Sequence, residues 1–566
     1  MRRRLGALLL LVGGLFALAV VLATSAEAHA TLVSSDPTNG SRLKTAPSSV
    51  TLTFDEPVGL GGIGYLHVVD SNGKRVDTGP AFHPAGSGSK VAAKLKAGLG
   101  DGTYTESFRV ISADSHPVAG TVRFVVGNGV LSTTPIDTST VNGGVSFTFD
   151  VTRWLSYAGL ATLGGAWLVL TAWPQGRTDR AARRLLWTGL GATTFGAALE
   201  TLLQGPYTAG TSLGELFRWT LLDTTLHTDY GRYHCIRLLA LGLAAVYLSW
   251  ALQRGRSRVD LVAVPIGLTI ALSFSADGHA ATTSPDWLSI TADLLHVSAV
   301  ATWIGGLVML VGAVLRRDDS DEATAVLPVM SRVALVAVCT IAATGLYAAW
   351  RGIGSLDAIF ATNYGLIVVI KVLIFLTLLA LGYVSRRVVQ GKWAPIPVAY
   401  AHSDTGTTDA DLTAEPDRVR VEHERLRRSV VVEVVLALVV LGATGVLVSE
   451  PRGKEALAIE HQKPASATAQ VAAGRTVTVT VDPDTHGTVS VSAELSKGPA
   501  AQRLTGTASL PSKQLGPIPL GLTASGPNSY GASGVQLPSS GTWVFELVVT
   551  TSEFAATTVD VKLHLY

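Results

Sequence analysis

The chain has 566 residues, of which 48% are hydrophobic and only 15% are charged. This composition is too apolar for an ordinary soluble protein, so a membrane protein of several domains is the first expectation. The formal net charge of +2 is close to zero and the sequence carries no RNA- or DNA-binding signature, so we expect no nucleic-acid partner.

Residues 1–28 have the pattern of an export signal. The basic stretch MRRR precedes a long apolar run, and Ala26-Glu27-Ala28 matches an A-x-A cleavage site. Cleavage there would make His29 the first residue of the mature chain. The apolar run is also near spanning length, so an uncleaved anchor is the alternative.

Residues 29–128 contain short alternating runs such as SVTLTF and TVRFVV, separated by Gly, Pro and Asn clusters. This pattern predicts an exported all-β domain, a small antiparallel sandwich or barrel. Residues 129–151 are predicted to form a low-complexity linker. The only two cysteines, Cys235 and Cys339, lie in later apolar segments, which excludes a disulfide framework from the exported parts.

Residues 152–450 are dominated by apolar stretches of membrane-spanning length. We predict a polytopic bundle of about eight transmembrane helices in the lipid bilayer of the plasma membrane. The stretches lie near 154–173, 185–204, 235–252, 260–276, 289–315, 331–350, 364–384 and 429–449.

The distribution of basic residues predicts the orientation of this bundle. Lysines and arginines concentrate in the first, third, fifth and seventh loops between the helices, whereas the other loops hold only Arg218, Arg232 and Arg351. By the positive-inside rule both ends of the protein then face outward. Residues 451–566 return to alternating runs such as RTVTVTVD, which predicts a second exported β-sandwich.

A histidine at a processed N-terminus is suited to binding Cu(II). His29 would offer its α-amine and ring Nδ1 to one metal ion, and Cu(II) prefers a tetragonal set of nitrogen and oxygen ligands. Asp114 and His116 are two residues apart, and Pro117 favours an extended backbone at His116, which would place both side chains on one side. The alternative is a turn with Asp114 bonded to the backbone and His116 at the surface. Together with a terminal His29, the pattern favours a Cu(II) site.

Ionisable residues at membrane depth are costly and therefore candidates for function. His296 lies about two turns into the predicted fifth helix. Asp293 precedes it by three residues on the same face, where it could hold one ring N–H of His296. His279 ends the fourth helix at the outer side. We predict a metal entry site near the outer leaflet, with His279 and His296 as the strongest pair.

Other polar residues of this region have simpler interpretations. Glu200, His227 and His234 also lie towards the outer side and are further candidates for the entry site. The simpler interpretation of the two histidines is that they are interfacial. Lys371 and Arg237 are interpreted as snorkelling side chains or as packing elements paired with carboxylates. The glycine pair at 305–306 is typical of close helix packing.

The stretches HATLVSSDPTNGSRLKTAPSSVTLTFDEPV and RVISADSHPVAGTVRFVVG resemble the CopC family of exported copper-binding Greek-key β-barrels. Where this family usually has glycine before its second histidine, this chain has Ser115. The resemblance implies that His29, Asp114 and His116 bind Cu(II). Some members also hold Cu(I) in a methionine-rich loop, but the mature chain has no methionine before Met309, so we expect no such site.

The stretches YGRYHCIRLLAL, SFSADGHAATTSPDWLSITADLLHVSAVATWIGGL and YGLIVVIKVLIFLTLLALGYVSRR resemble the CopD family of membrane proteins. Together the two resemblances cover residues 29–450. They imply that copper is captured outside and moved inward across the plasma membrane, with exported copper chaperones as possible partners; the oxidation state along the membrane path stays open. The sequence has no Walker A motif, so transport would need a gradient, a partner or a redox step.

Two other functions are open at this point. A terminal histidine holding copper also resembles the brace of oxidative polysaccharide-cleaving enzymes, but a carboxylate ligand such as Asp114 would fill the position that oxygen chemistry needs. Paired histidines on membrane helices can also ligate haem in an electron carrier. His279 and His296 lie too near the outer surface to favour that role, and we expect no enzymatic activity.

Overall fold

The computed structural model describes residues 30–566 with short gaps, and the chain forms two compact units. One unit contains the helices between Val141 and Gly453, and the other contains the strands that precede and follow them. The undescribed positions are 1–29, 61–63, 113–115, 128–141, 255–261, 278–284, 317–319, 393–408, 461–463, 473, 497, 499–500, 527 and 553–554.

The N-terminal part of the β unit is a sandwich of two four-stranded sheets, ordered β1-β3-β6-β5 and β2-β8-β7-β4. Alternate side chains of both sheets fill one core, because successive residues of a strand point to opposite faces. The predicted β-sandwich is therefore confirmed. Its strands are β1 Leu32–Asp36, β2 Ser41–Leu43, β3 Ser49–Phe54, β4 Tyr65–Asp70, β5 Asp77–Phe82, β6 Lys90–Leu95, β7 Gly102–Ile111 and β8 Pro117–Val126.

One core position of this sandwich holds an acid. Glu106 lies on the same face of β7 as the buried Tyr104 and Phe108, and it is fully buried itself. Within the described residues neither of its carboxylate oxygens has a hydrogen-bond partner. Burial raises the pKa of the Glu106 carboxyl well above its usual range, and the charge of Asp36 adds to this. The folded domain therefore favours the uncharged acid.

The C-terminal part of the β unit is a second pair of sheets around one core, ordered β14-β15-β11-β10-β9 and β13-β12-β16-β17. Valines of β10 face Trp543 and Phe545 across this core. The strands are β9 Ala465–Ala472, β10 Arg475–Asp482, β11 Gly487–Leu495, β12 Arg503–Leu510, β13 Leu515–Pro519, β14 Thr523–Gly526, β15 Ser529–Leu537, β16 Gly541–Ser552 and β17 Ala555–Leu565.

The two β domains contact each other through the outer faces of one sheet each. Arg123 of β8 donates through Nη1 to Asp482 Oδ2 at 2.9 Å, and the two side chains are only 12% and 20% exposed. Ser490 of β11 lies against Gly40. Val125, on the outward face of β8, is completely buried. The two domains thus form one body.

Within the described residues there are eleven α-helices, of which ten lie in the helical unit and the last, short one falls in the β unit. They are α1 Gly143–Gly164, α2 Arg180–Ala209, α3 Trp219–Leu226, α4 Asp229–Ala251, α5 Ala263–Ala276, α6 Asp286–Gly312, α7 Ser320–Ile353, α8 Leu356–Ala361, α9 Asn363–Lys392, α10 Asp409–Ser449 and α11 Gly453–Glu460. In the described part of the chain six segments are long and apolar enough to cross a membrane. The helix α2 is not among the six, and α5 has only 14 residues. The count of eight spans therefore stays a prediction.

The start of α1 corrects the predicted linker. We placed residues 143–151 in the connector, whereas the helix begins at Gly143. The side chain of Asn142 accepts hydrogen bonds from the backbone N–H groups of Gly144 and Val145. A helix begins readily where such a cap satisfies its first N–H groups.

Glycines bring α1 and α6 into backbone contact. A methyl group on Gly305 would overlap the backbone of Gly165, and one on Gly164 would overlap the backbone of Ala301. Residues without a side chain allow this approach, as the glycine pair at 305–306 indicated.

We expect the Gly305→Ala variant to lower the thermal stability of the purified protein, because the added methyl must push apart two backbones. Overpacking of this kind costs about 1–3 kcal/mol. The control is Gly242→Ala, a helical glycine with nothing within 4 Å of an added methyl. Thermal unfolding in detergent checks this; equal midpoints for the two variants would contradict the packing argument.

Charge reversal should open the contact between the β domains. In a chain carrying Cys235→Ser, Cys339→Ser and Ser490→Cys, a membrane-impermeant maleimide should label position 490 slowly, because Ser490 is only 6% exposed. Adding Arg123→Glu should raise the labelling rate roughly tenfold or more, since unpairing a largely buried charge costs about 2 kcal/mol or more.

Adding Asp482→Arg to that variant should restore the protection by recreating the pair in reverse. Arg503→Glu, an exposed charge on β12, is the matched control and should leave labelling unchanged. Fast labelling before any charge is reversed would mean that the domains do not dock.

Candidate metal centre

His116 lies where β7 has ended and β8 begins, at the rim of the N-terminal sandwich. Its side chain is 6% exposed. Its carbonyl accepts hydrogen bonds from the backbone N–H of Ser112 at 2.9 Å and from the Ser112 hydroxyl at 3.0 Å. These bonds close the loop that contains Asp114, which lies outside the described residues.

The chain is held in place just before β1. Ala30 is 2% exposed and belongs to the core of the sandwich. The backbone N–H of Thr31 donates to Asp55 at 2.6 Å. His29 itself lies outside the described residues, so its position relative to Asp114 and His116 stays a prediction.

In the helical unit, His296 of α6 is held by a threonine of α7. Its Nδ1 lies 2.9 Å from Thr344 Oγ1, and that hydroxyl also lies 2.7 Å from the Thr340 carbonyl. Because the single hydroxyl hydrogen goes to the carbonyl, Thr344 must accept the N–H of Nδ1. The neutral ring then carries its lone pair on Nε2, the form that binds a metal ion.

Asp293 does not take the role that we predicted for it. The ring N–H of His296 goes to Thr344, whereas the Asp293 carboxylate bonds to Ser275 of α5 and attracts Lys371 of α9. A position three residues away on the same helix face allowed contact with His296, but the carboxylate turns to a neighbouring helix. Lys371 was interpreted either as a snorkelling side chain or as the partner of a carboxylate. The contacts support the second interpretation, with Asp293 as the carboxylate.

The predicted partner of His296, His279, lies outside the described residues. Among the residues that are described, no three or more His, Cys, Asp or Glu side chains meet as a ready-made metal site. The pairing of His279 with His296 therefore stays a prediction.

His234 is the histidine that sequence reasoning misjudged. It was interpreted as interfacial, but its side chain is completely buried between α2, α4 and α5. Its Nε2 lies 3.3 Å from Glu200 Oε2, and its Nδ1 lies 3.1 Å from the Tyr230 carbonyl and 3.4 Å from Asp277 Oδ2. Three helices from distant parts of the sequence converge on this ring.

Arg237 holds the same three helices together. Its guanidinium lies 2.5 Å from Asp277 Oδ2, 2.8 Å from the Ser273 carbonyl and 3.7 Å from Glu200 Oε2. It also lies over the ring of Phe274 at 3.5 Å. The interpretation of Arg237 as a packing element paired with a carboxylate is thus supported by the contacts.

These buried polar groups share one end of the helical unit. The helices α2, α5 and α7 end there, whereas α4, α6 and α9 begin there. A signal in the sequence could have shown part of this cluster, because Tyr230, His234 and Arg237 recur at helical spacing and therefore share one face of α4.

Comparisons with known proteins match three domain families along the chain. Residues 32–127 match the CopC domain, residues 145–285 match the "Copper resistance protein D-like, N-terminal domain" and residues 324–447 match "Copper resistance protein D".

Individual proteins match as well. The chain is 30% identical over 377 residues to the "Copper transport protein CutJ" of Bacillus subtilis (strain 168), covering 64% of this chain and 68% of that protein. It is 32% identical over 116 residues to the "Copper resistance protein C" of Pseudomonas syringae pv. tomato, covering 20% of this chain and 91% of that protein. The crystal structure of CopC from Methylosinus trichosporium OB3b is 27% identical, covering 19% of this chain and 100% of that one, with a TM-score of 0.17.

The resemblance to CopC and CopD is thereby confirmed over both units. With a CopC domain followed by CopD domains in one polypeptide, the chain belongs to the CopC/CopD family of copper transport and copper resistance proteins, which are binding and transport proteins rather than enzymes.

Proposed function

We propose that this protein captures Cu(II) outside the cell with its N-terminal β domain and moves copper inward through its helical unit. The observation that carries the transport step is His296, a histidine of an apolar helix whose Nδ1 is held by Thr344, so that Nε2 is the ring nitrogen left to bind a metal ion. The CopD match covers the surrounding helices.

The capture site consists of His29, Asp114 and His116. Two contacts support it: Ala30 fixes the chain beside the proposed terminal ligand, and Ser112 fixes the loop that ends at His116. A terminal amine, two imidazoles and a carboxylate form the nitrogen and oxygen set that Cu(II) prefers.

The membrane step uses His279 and His296. Asp277 places the end of α5 within the buried cluster, and His279 follows two residues later. The positive-inside rule puts this end of the helices, and both β domains, on the extracytoplasmic side. Copper could arrive there from the capture site or from exported copper chaperones.

Adding one residue before His29 should weaken Cu(II) binding roughly 100-fold or more, because the free amine and the imidazole would no longer close one chelate ring. Competition with a chromogenic chelator measures the affinity, and mass spectrometry verifies the mature N-terminus. His83→Gln is the control, since His83 Nδ1 already bonds to the Lys90 carbonyl. An extended protein that binds Cu(II) as tightly as the mature form would refute the terminal chelate.

The His296→Ala variant should abolish copper-dependent accumulation in cells while leaving the Cu(II) affinity of the N-terminal domain intact. Cell copper is measured by mass spectrometry at fixed external copper and matched expression. His227→Ala serves as control, because the His227 side chain is 78% exposed. Undiminished accumulation without the imidazole of His296 would rule out this residue as part of the path.

A further inference from the structure

The buried pair Glu200–His234 has no role in the copper path described above. We propose that this pair is a proton-carrying site that exchanges a proton for copper during transport. The inference rests on the proposed transport function and names the ion that would leave as copper enters.

Burying these two ionisable side chains costs free energy, and a gain in the stability of the fold does not explain why they are there. The side chain of His234 is completely buried and that of Glu200 is 5% exposed, although α4 has the length and hydropathy of a membrane span. Replacing a buried ionic cluster by apolar residues is often neutral or stabilising, so packing alone does not call for one here. Ionisable groups at such depth are candidates for ion or proton pathways.

The surroundings of His234 satisfy the ring in both protonation states. In the neutral ring, Nδ1–H donates to the Tyr230 carbonyl at 3.1 Å, and Nε2 accepts from Arg237 Nη1 at 3.2 Å. In the protonated ring, Nδ1–H keeps its acceptor and Nε2–H donates to Glu200 Oε2 at 3.3 Å. A proton can therefore enter or leave without leaving a ring nitrogen unpaired.

The charges around the ring also accommodate a proton. The ring lies beside Glu200 on α2, Tyr230 and Arg237 on α4, and Asp277 on α5. On α1, Arg153 and Tyr157 interact electrostatically with Glu200. Two carboxylates, those of Glu200 and Asp277, lie within ion-pair distance of both the His234 ring and the guanidinium of Arg237.

The positive charge of Arg153 does not neutralise the excess negative charge around His234, because a serine connects Arg153 to a further carboxylate, that of Asp150. Its Nη1 donates to Ser449 at 2.6 Å, and the Ser449 hydroxyl donates to Asp150 at 2.5 Å. Protonation of His234 therefore brings the cluster from a net negative charge to neutrality.

The same geometry disfavours copper at this pair. Arg237 Nη1 lies 3.2 Å from Nε2 and 3.7 Å from Glu200 Oε2, so a guanidinium stands where a metal ion shared by both ligands would have to bind. Within the described residues Glu200 Oε1 has no hydrogen-bond partner, which leaves an acceptor for an incoming proton.

Electrostatics connects this pair to the proposed copper ligands. Asp277 contacts His234 and also acts on Asp293, which lies one turn before His296 on α6. A copper cation at this end of the helices would disfavour a positive charge on His234. Copper would therefore displace the proton from Nε2 to the water outside, and the freed electron pair of Nε2 would accept a hydrogen bond from Arg237. By reciprocity the proton weakens copper binding.

The test uses the purified full-length protein in liposomes that contain the pH dye pyranine. Copper chloride, with or without ascorbate, is added outside, and internal copper and pH are followed together. We expect copper entry to raise the internal pH and an imposed pH gradient to change the rate of copper entry. In Glu200→Gln both effects should fall at least roughly tenfold, while the Cu(II) affinity of the N-terminal domain stays unchanged.

Glu433→Gln is the matched control. Glu433 is another buried glutamate of the helical unit, bonded to Ser385 at 2.8 Å, and its variant should keep the proton exchange. If Glu200→Gln does not give monodisperse protein, His234→Gln tests the same pair.

The outcomes separate the two proposals. Copper entry without alkalinisation in the unaltered protein, or full exchange in both variants of the pair, overturns the proton site and leaves copper transport standing. Absence of copper entry in the unaltered protein would instead overturn the proposed function itself.

Discussion

The helical unit depends on the rule that a charge removed from water must meet its partner inside the protein. Arg237 illustrates it: one guanidinium bridges Glu200 of α2 and Asp277 of α5 from its position on α4. The bridge fixes the ends of three helices relative to one another. His234 lies at the centre of this fixed frame, and its ring contacts follow from the positions that Arg237 imposes.

The same rule shapes the β unit in two different ways. Arg123 and Asp482 pair across the contact between the two β domains, so neither charge is buried alone. Glu106 has no cation beside it, and burial raises the pKa of its carboxyl so that the neutral acid is favoured. One site pairs its buried charges, whereas at the other site burial disfavours the charged form of the carboxyl.

The position of the domain contact also bears on copper capture. Arg123 lies seven residues along β8 from His116, a distance of about 23 Å at the usual rise of a strand. The C-terminal domain therefore covers a part of the sheet far from the rim that carries the proposed ligands. This contact therefore leaves the proposed ligands uncovered by the C-terminal domain.

Much of this architecture was readable from the sequence, because hydrophobic periodicity is local. Alternating runs identified both β domains, long apolar runs identified the helices, and the quoted motifs identified the CopC and CopD families. The residue His296 was also found from its place in an apolar helix, and the glycine pair at 305–306 from its spacing.

The partners of these residues were decided only by the tertiary structure. Thr344 lies 48 residues from His296, and Glu200 lies 34 residues from His234. Spacing within one helix indicated Asp293 as a partner of His296, and a position at the start of a helix indicated an interfacial His234, whereas the structure gives these residues partners on neighbouring helices. Which face of a helix meets which neighbour depends on how α2, α4, α5 and α7 pack, and that packing is set by contacts between segments far apart in the chain.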